Sequence, residues 1–234
     1  WFCLNGVAWY LSVQAFLYAI FPWLLAVLKK TDTRRLRCIA AAIFCAQFLF
    51  SFTIWKAGLS GKAVFYMTYL CPLFRAGDFA ISCCMGCLYH SRKDERIPYG
   101  AFSLLELAAV LFSGSCFFIA ARQVGALGAV AFRYNVLFTP SAVLLVWLLA
   151  VGKGVISRLL SAKPFLWLAG LSPYGFLIHQ VLIRYMELAA NKLGLTTHPV
   201  VWTLTVFLLT LCLSSFYKAL EHRVRKRHAK AAAR

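Results

Sequence analysis

Acidic residues are scarce: seven Asp and Glu stand against 25 Lys and Arg in a chain of 234 residues, and charged residues of both signs make up only 14%. With 62% of the residues hydrophobic and 16% aromatic, a water-soluble ball of this size could not hide its apolar surface. The chain therefore reads as a membrane protein. Also missing are a Gly-rich phosphate loop, an HExxH or GxSxG motif, clustered metal ligands and any repeat of fixed period. No tightly bound cofactor or metal is expected. No signal peptide is visible, residue 1 is Trp and the first Met is Met67, so the chain reads as the C-terminal part of something longer.

What is present is a series of apolar windows: 9–28, 38–55, 101–121, 134–152, 164–183 and 199–217, each roughly long enough for a helix to cross ~30 Å of hydrocarbon. A shorter one, 76–91, carries Asp78. The expected fold is all-α, a polytopic transmembrane helix bundle of about seven spans. Net charge +18 does not point to nucleic acid, because the cations lie between the windows. With residue 1 outside, Lys29, Lys30, Arg34, Arg35 and Arg37, then Arg92, Lys93 and Arg96, then Lys153, Arg158 and Lys163, then the tail from Lys218 to Arg234 all fall inside. That orientation makes 222–234 a basic cytosolic tail against an anionic leaflet.

The nine cysteines mostly fall in apolar windows, and Cys84 and Cys87 form a CxxC that on a helix only stacks two small side chains, so no disulfide framework is inferred.

Several polar groups occupy positions that hydrocarbon disfavours. In 5–22, Gln14 and Tyr18 share one helix face while Asn5, Trp9, Ser12 and Phe16 share another; they either tie helices together or line a path. Gln47 is the only strongly polar residue inside 38–55. Pro72 suits a helix start, and Arg75 and Asp78, one turn apart, are expected to pair. An unpaired Asp at bilayer depth costs about 2.5–3.5 kcal/mol, so Asp78 needs a partner or a watery cavity unless it sits at the outer rim. Glu106 lies about a turn inside its window, where it snorkels or pairs, and Pro140 is expected to kink its span. Ser172, Gly175 and His179 fall on one stripe, Pro173 and Gly175 loosen that helix, and His179 lies near mid-membrane as a functional or a helix-bridging group. Glu221 amid Lys218, Arg223 and Arg225 is expected to be salt-bridged.

Four segments, in order, resemble the landmarks of the acyltransferase 3 family of integral membrane acyltransferases. The first is NGVAWYLSVQAFLYAIFP, where Trp9, Leu11, Ser12, Tyr18, Phe21 and Pro22 match and Gln14 stands where the family commonly has Glu. The second is PLFRAGDFAISCCMGCLY, with Asp78 for the more usual Glu. The third is LSPYGFLIH, placing His179 on the family histidine. The fourth is LSSFYKALE, through Ser214, Tyr217 and Glu221, without the Pro that often follows.

This resemblance implies about ten spans in a full protein, with a key His and an upstream Arg in earlier spans. Residues 1–221 would be the membrane acyltransferase domain. The activity implied is transfer of an acyl group, acetyl by preference, from cytosolic acyl-CoA to a hydroxyl of a surface glycan, lipid-linked sugar or metabolite. The partners implied are the lipid bilayer, acyl-CoA as co-substrate, and a glycan or small-molecule acceptor, with no nucleic acid. The location implied is the plasma membrane, a bacterial inner membrane, with the C-terminus cytosolic. Carried onto this chain, His179 and Asp78 are the candidate catalytic residues, while Asn5, Trp9, Ser12, Gln14, Tyr18 and Arg75 are candidates for substrate binding. Two other classes stay open: a transporter or exporter of a glycan or metabolite, and a non-catalytic remnant of an acyltransferase.

Overall fold

The computed structural model describes residues 9–92, 99–122, 131–133, 135–194 and 198–232, mostly helical and with no strand among them. The chain divides into two compact units, Leu11–Leu160 and a second made of 1–10 with 161–234. Four helices are long and apolar enough to cross a membrane, and two bent pairs raise the number to six if each is one span.

Helix α1 (Trp9–Leu28), most of it in the first unit, is apolar apart from Ser12, Gln14 and its two tyrosines and ends at a short turn. Asp32 then caps α2 (Thr33–Lys56), its carboxylate accepting from the Arg35 amide at 3.3 Å. A one-turn helix, α3 (Gly61–Phe65), continues into a turn of π-helix, Tyr66–Leu70. Cys71, placed before Pro72, is extended at ψ 118, so the helix breaks there and α4 (Pro72–Arg92) leaves at 41°. The expectation that Pro72 opens a helix holds, and α4 begins a turn ahead of the 76–91 window, at Pro72.

Helices α2 and α4 run antiparallel. Leu36 packs with Cys84 and Leu88 at one end, joined by Leu24 and Leu28 of α1, while Phe50 meets Phe74 at 5.4 Å near the other. The described cysteines are free thiols, and Cys84 is fully buried in this contact.

Helix α5 (Tyr99–Arg122) packs on α6 (Thr139–Val151) through Phe102, Ala109 and Leu148. The 134–152 window thus yields only 13 helical residues, about 20 Å of rise, against the ~30 Å of a full crossing. Pro140 lies in the first turn of α6, where its missing N–H is harmless, so it starts a helix instead of kinking one. Gly152, at φ 71, ends α6 in the left-handed region and turns the chain into α7 (Val155–Leu160).

The second unit holds α8 (Lys163–Ala169), α9 (Ser172–Leu193) and α10 (Pro199–Ala232). The apolar window 164–183 is broken, with a 58° bend between α8 and α9. Pro173 opens α9 in its first turn, so the loosening expected around Pro173 and Gly175 occurs before them, at Gly170 and Leu171. Helix α10 is continuous through 34 residues.

Candidate functional site

Asp78 is the centre of the polar structure in the first unit. Arg75 Nη1 lies 3.2 Å from Asp78 Oδ2, the expected pair, and both side chains are mostly buried, at 19% and 26% exposure. Gln47 of α2 donates from Nε2 to Asp78 Oδ1 at 3.2 Å and to the Phe74 carbonyl at 3.0 Å. The Thr139 hydroxyl of α6 lies 3.4 Å from Asp78 Oδ1 and 3.0 Å from Asn135 Oδ1, and donates to one of them at a time. Three elements therefore converge on one carboxylate. Gly77 makes this possible, because a Cβ there would sit 2.6 Å from Gln47 Nε2.

The register fixes the depth of the pair. Gln47 lies about 14 Å of helix from Cys38 and about 12 Å from Trp55, the limits of the apolar run of α2. Asp78 therefore faces the middle of an apolar span, not its rim. Arg75 is held from the other side by the helix break: its Nε donates to the Tyr69 carbonyl at 2.9 Å, and its guanidinium lies 4.8 Å from the Tyr69 ring centre. The helix break leaves carbonyls without their usual helical partners, and Arg75 satisfies one while neutralising Asp78.

Below this cluster a cavity of about 430 Å³ runs between α4 and α6. Arg75, Asp78, Asn135 and Thr139 form its polar end; Met85, Val146 and Trp147 line the remainder. At the far end the Tyr89 hydroxyl donates to the Ala150 carbonyl at 3.1 Å, fixing the helix spacing.

Glu106 does not snorkel. It is fully buried, and its carboxylate accepts from the amides of Gly154 at 3.2 Å, Ile156 at 2.9 Å and Ser157 at 3.2 Å. Glu106 thus caps α7 from a different helix, using the positive end of the peptide dipoles as its counter-charge. A Cβ at Gly154 would overlap this carboxylate.

Of the candidates in α1, Ser12 and Tyr18 are exposed and Trp9 and Gln14 partly buried; the Gln14 amide donates to the Tyr18 hydroxyl at 2.5 Å, confirming their shared face. Asn5 lies outside the described residues. In the second unit, His179 Nδ1 is 3.0 Å from the Gly175 carbonyl. A carbonyl only accepts, so Nδ1 donates, and in the neutral ring Nε2 is the nitrogen with the lone pair. His179 lines a groove of about 300 Å³ between α9 and α10 with Ile183, Trp202, Val206 and Thr210.

The acyltransferase 3 family model, described as an acyltransferase domain, matches residues 1–218. The chain belongs to the acyltransferase 3 family. No curated protein and no solved structure matches it at a significant level. It is an integral membrane protein of the acyltransferase class.

Two of the acyltransferase 3 segments meet in the second unit. The Tyr174 hydroxyl donates to Glu221, whose other oxygen pairs with Arg225 at 2.5 Å, as expected for a salt-bridged glutamate. Gly175 faces Ser214, 3.5 Å from a Cβ built there, so the same segments also pack closely about two turns of α10 ahead of Glu221. Gln47, Thr139 and Asn135 were not among the candidates read from this acyltransferase sequence. The only available signals were the isolation of Gln47 in an apolar span and the glycine beside Asp78.

Proposed function

We propose that the protein transfers an acyl group, acetyl by preference, from acyl-CoA to a hydroxyl of a glycan, lipid-linked sugar or metabolite. In that reaction the acceptor oxygen bonds to the thioester carbonyl carbon, the C–S bond breaks, and the hydroxyl proton leaves to a base. The observation that most supports this reading is the Arg75–Asp78 pair, held by Gln47 and Thr139 at mid-span beside a cavity within the roughly 300–1,000 Å³ usual for ligand sites.

In this reading Arg75 and Asp78 order the reacting groups, and Asp78 acts mainly by fixing Arg75, since its own oxygens are already engaged. His179 lies in the second unit, and its role is a separate part of the reading: it supports proton movement through Nε2 or bridges helices. Ser12, Gln14 and Tyr18, with Asn5 and Trp9, line the path of the acceptor or acyl group. Gln14 offers an amide where the family has a carboxylate, so it hydrogen-bonds but cannot take a proton. The membrane is the plasma membrane, the C-terminus is cytosolic, and acyl-CoA approaches from that side, in agreement with the cation distribution.

The test uses the complete protein in membrane vesicles with radiolabelled acetyl-CoA and extracted surface polymer or lipid-linked sugar. Label should move to an alkali-labile ester on the acceptor, and free CoA should appear in equal amount. Release of no CoA in the presence of every acceptor fraction would end the enzyme reading. The two bent helix pairs favour a second reading, a transporter, because broken helices commonly line transport sites. It predicts movement of substrate across the vesicle membrane with no ester formed.

A further inference from the structure

The cavity between α4 and α6 has three features that together specify an occupant. It follows α6 from Thr139 to Ala150, eleven residues or roughly 16 Å, about half of a ~30 Å hydrocarbon core. Its inner end holds a neutral Arg75–Asp78 pair and Asn135, which is 4% exposed and whose Nδ2 has no hydrogen-bond partner among the described residues. Its other end, at Ala150 and Tyr89, is three residues from Lys153 on the cation-rich side. The shape suits a linear ligand that enters from the cation-rich face and carries a neutral hydrogen-bond acceptor at its tip. A lipid chain has the right length but brings only a methyl group to Asn135, leaving a buried donor unsatisfied.

We propose that this corridor takes the arm of the acyl donor, with the thioester carbonyl accepting from Asn135 Nδ2 and the donor's phosphates at the Lys153 end. The assignment rests on the reading of acyl-CoA as donor given above. Asn135 is then the residue that positions the acyl carbonyl beside Arg75, and Gly86, Met85 and Val146 set the width of the arm's path. Gly86 is the informative position, because it lines the corridor and a Cβ there meets nothing within 4 Å. Replacing a glycine inside a helix also does not weaken the helix.

The experiment photolyses the complete protein in nanodiscs with benzoylbenzoyl-CoA, whose reactive group occupies the acyl position, and maps the adducts by peptide mass spectrometry. Adducts should fall on α4 and α6, compete away with acetyl-CoA, and vanish in Gly86→Leu. The same variant should raise KM for acetyl-CoA about tenfold, as overfilling a packed site does, and leave KM for the acceptor unchanged. Asn135→Leu should lower kcat roughly five- to tenfold, the worth of one hydrogen bond, compared at equal folded amount because it also removes the Oδ1 acceptor of Thr139. Adducts on other helices, adducts that survive Gly86→Leu, or labelling of this corridor by a photoreactive phospholipid and not by the CoA probe would overturn the proposal while leaving acyl transfer intact. If the complete protein neither turns over acetyl-CoA nor takes label anywhere, the acyl-donor reading itself fails, and the corridor proposal with it.

Discussion

Gln47 Nε2 lies 3.2 Å from Asp78 Oδ1, and this single contact places a carboxylate opposite the midpoint of an apolar helix. Gln47→Leu would remove that donor and the second contact that Gln47 makes to the Phe74 carbonyl. It should destabilise the protein by about 1–3 kcal/mol, the cost of a buried unsatisfied group. Gln47→Glu should be worse, since it sets a second carboxylate against Asp78. Unfolding followed by a thiol-reactive dye, which reports exposure of the buried Cys84 and Cys116, measures both.

The capping of α7 by Glu106 predicts a fold defect separable from chemistry. Glu106→Ala strips the acceptor from three amides and should cost at least about 3 kcal/mol. Glu106→Gln keeps one acceptor oxygen and should lose less. Gly154→Ala forces a methyl into the same carboxylate and should cost about 1–3 kcal/mol. Thermal unfolding of each variant decides, and a Glu106→Ala protein as stable as the parent would rule out the cap.

His179 offers Nε2 to the groove while Nδ1 is committed to Gly175. His179→Ala should lower the rate of acyl transfer by about 100-fold or more, the usual contribution of a positioned base, at unchanged unfolding temperature. A change in stability with an unchanged rate would assign the histidine to helix packing alone.

Tyr174→Phe removes the hydrogen bond to Glu221 and nothing else. The loss should be about 1 kcal/mol in unfolding, because Glu221 keeps its exposed pair with Arg225, which contributes little.

Local chemistry was legible in the sequence wherever neighbouring residues decided it. The spacing of Arg75 and Asp78, the helix start at Pro72, the shared face of Gln14 and Tyr18 and the salt-bridged state of Glu221 needed no tertiary information. Depth and partners were not legible. Whether Asp78 lies at the rim or at mid-span depends on which residue of α2 faces it, and only the antiparallel register of Leu36 with Cys84 and Leu88 fixes that. Glu106 looked like a rim charge because its partners are backbone amides 48 to 51 residues away, which no side-chain pattern announces. The prolines misled for the opposite reason: Pro140 read as a kink and Pro173 as loosening its helix, yet each begins a helix, because the breaks lie in the residues just ahead of them.

The central claim is that the Arg75–Asp78 pair organises acyl transfer. The most direct measurement is the rate of acetyl transfer by the complete protein carrying Asp78→Asn, compared with the parent at equal folded amount. The substitution keeps the shape of the side chain but releases Arg75 from its counter-ion, and misplacing a positioning group costs about 100-fold in rate. A loss of that size with normal folding is the predicted result, and an undiminished rate in a folded Asp78→Asn protein would contradict the account.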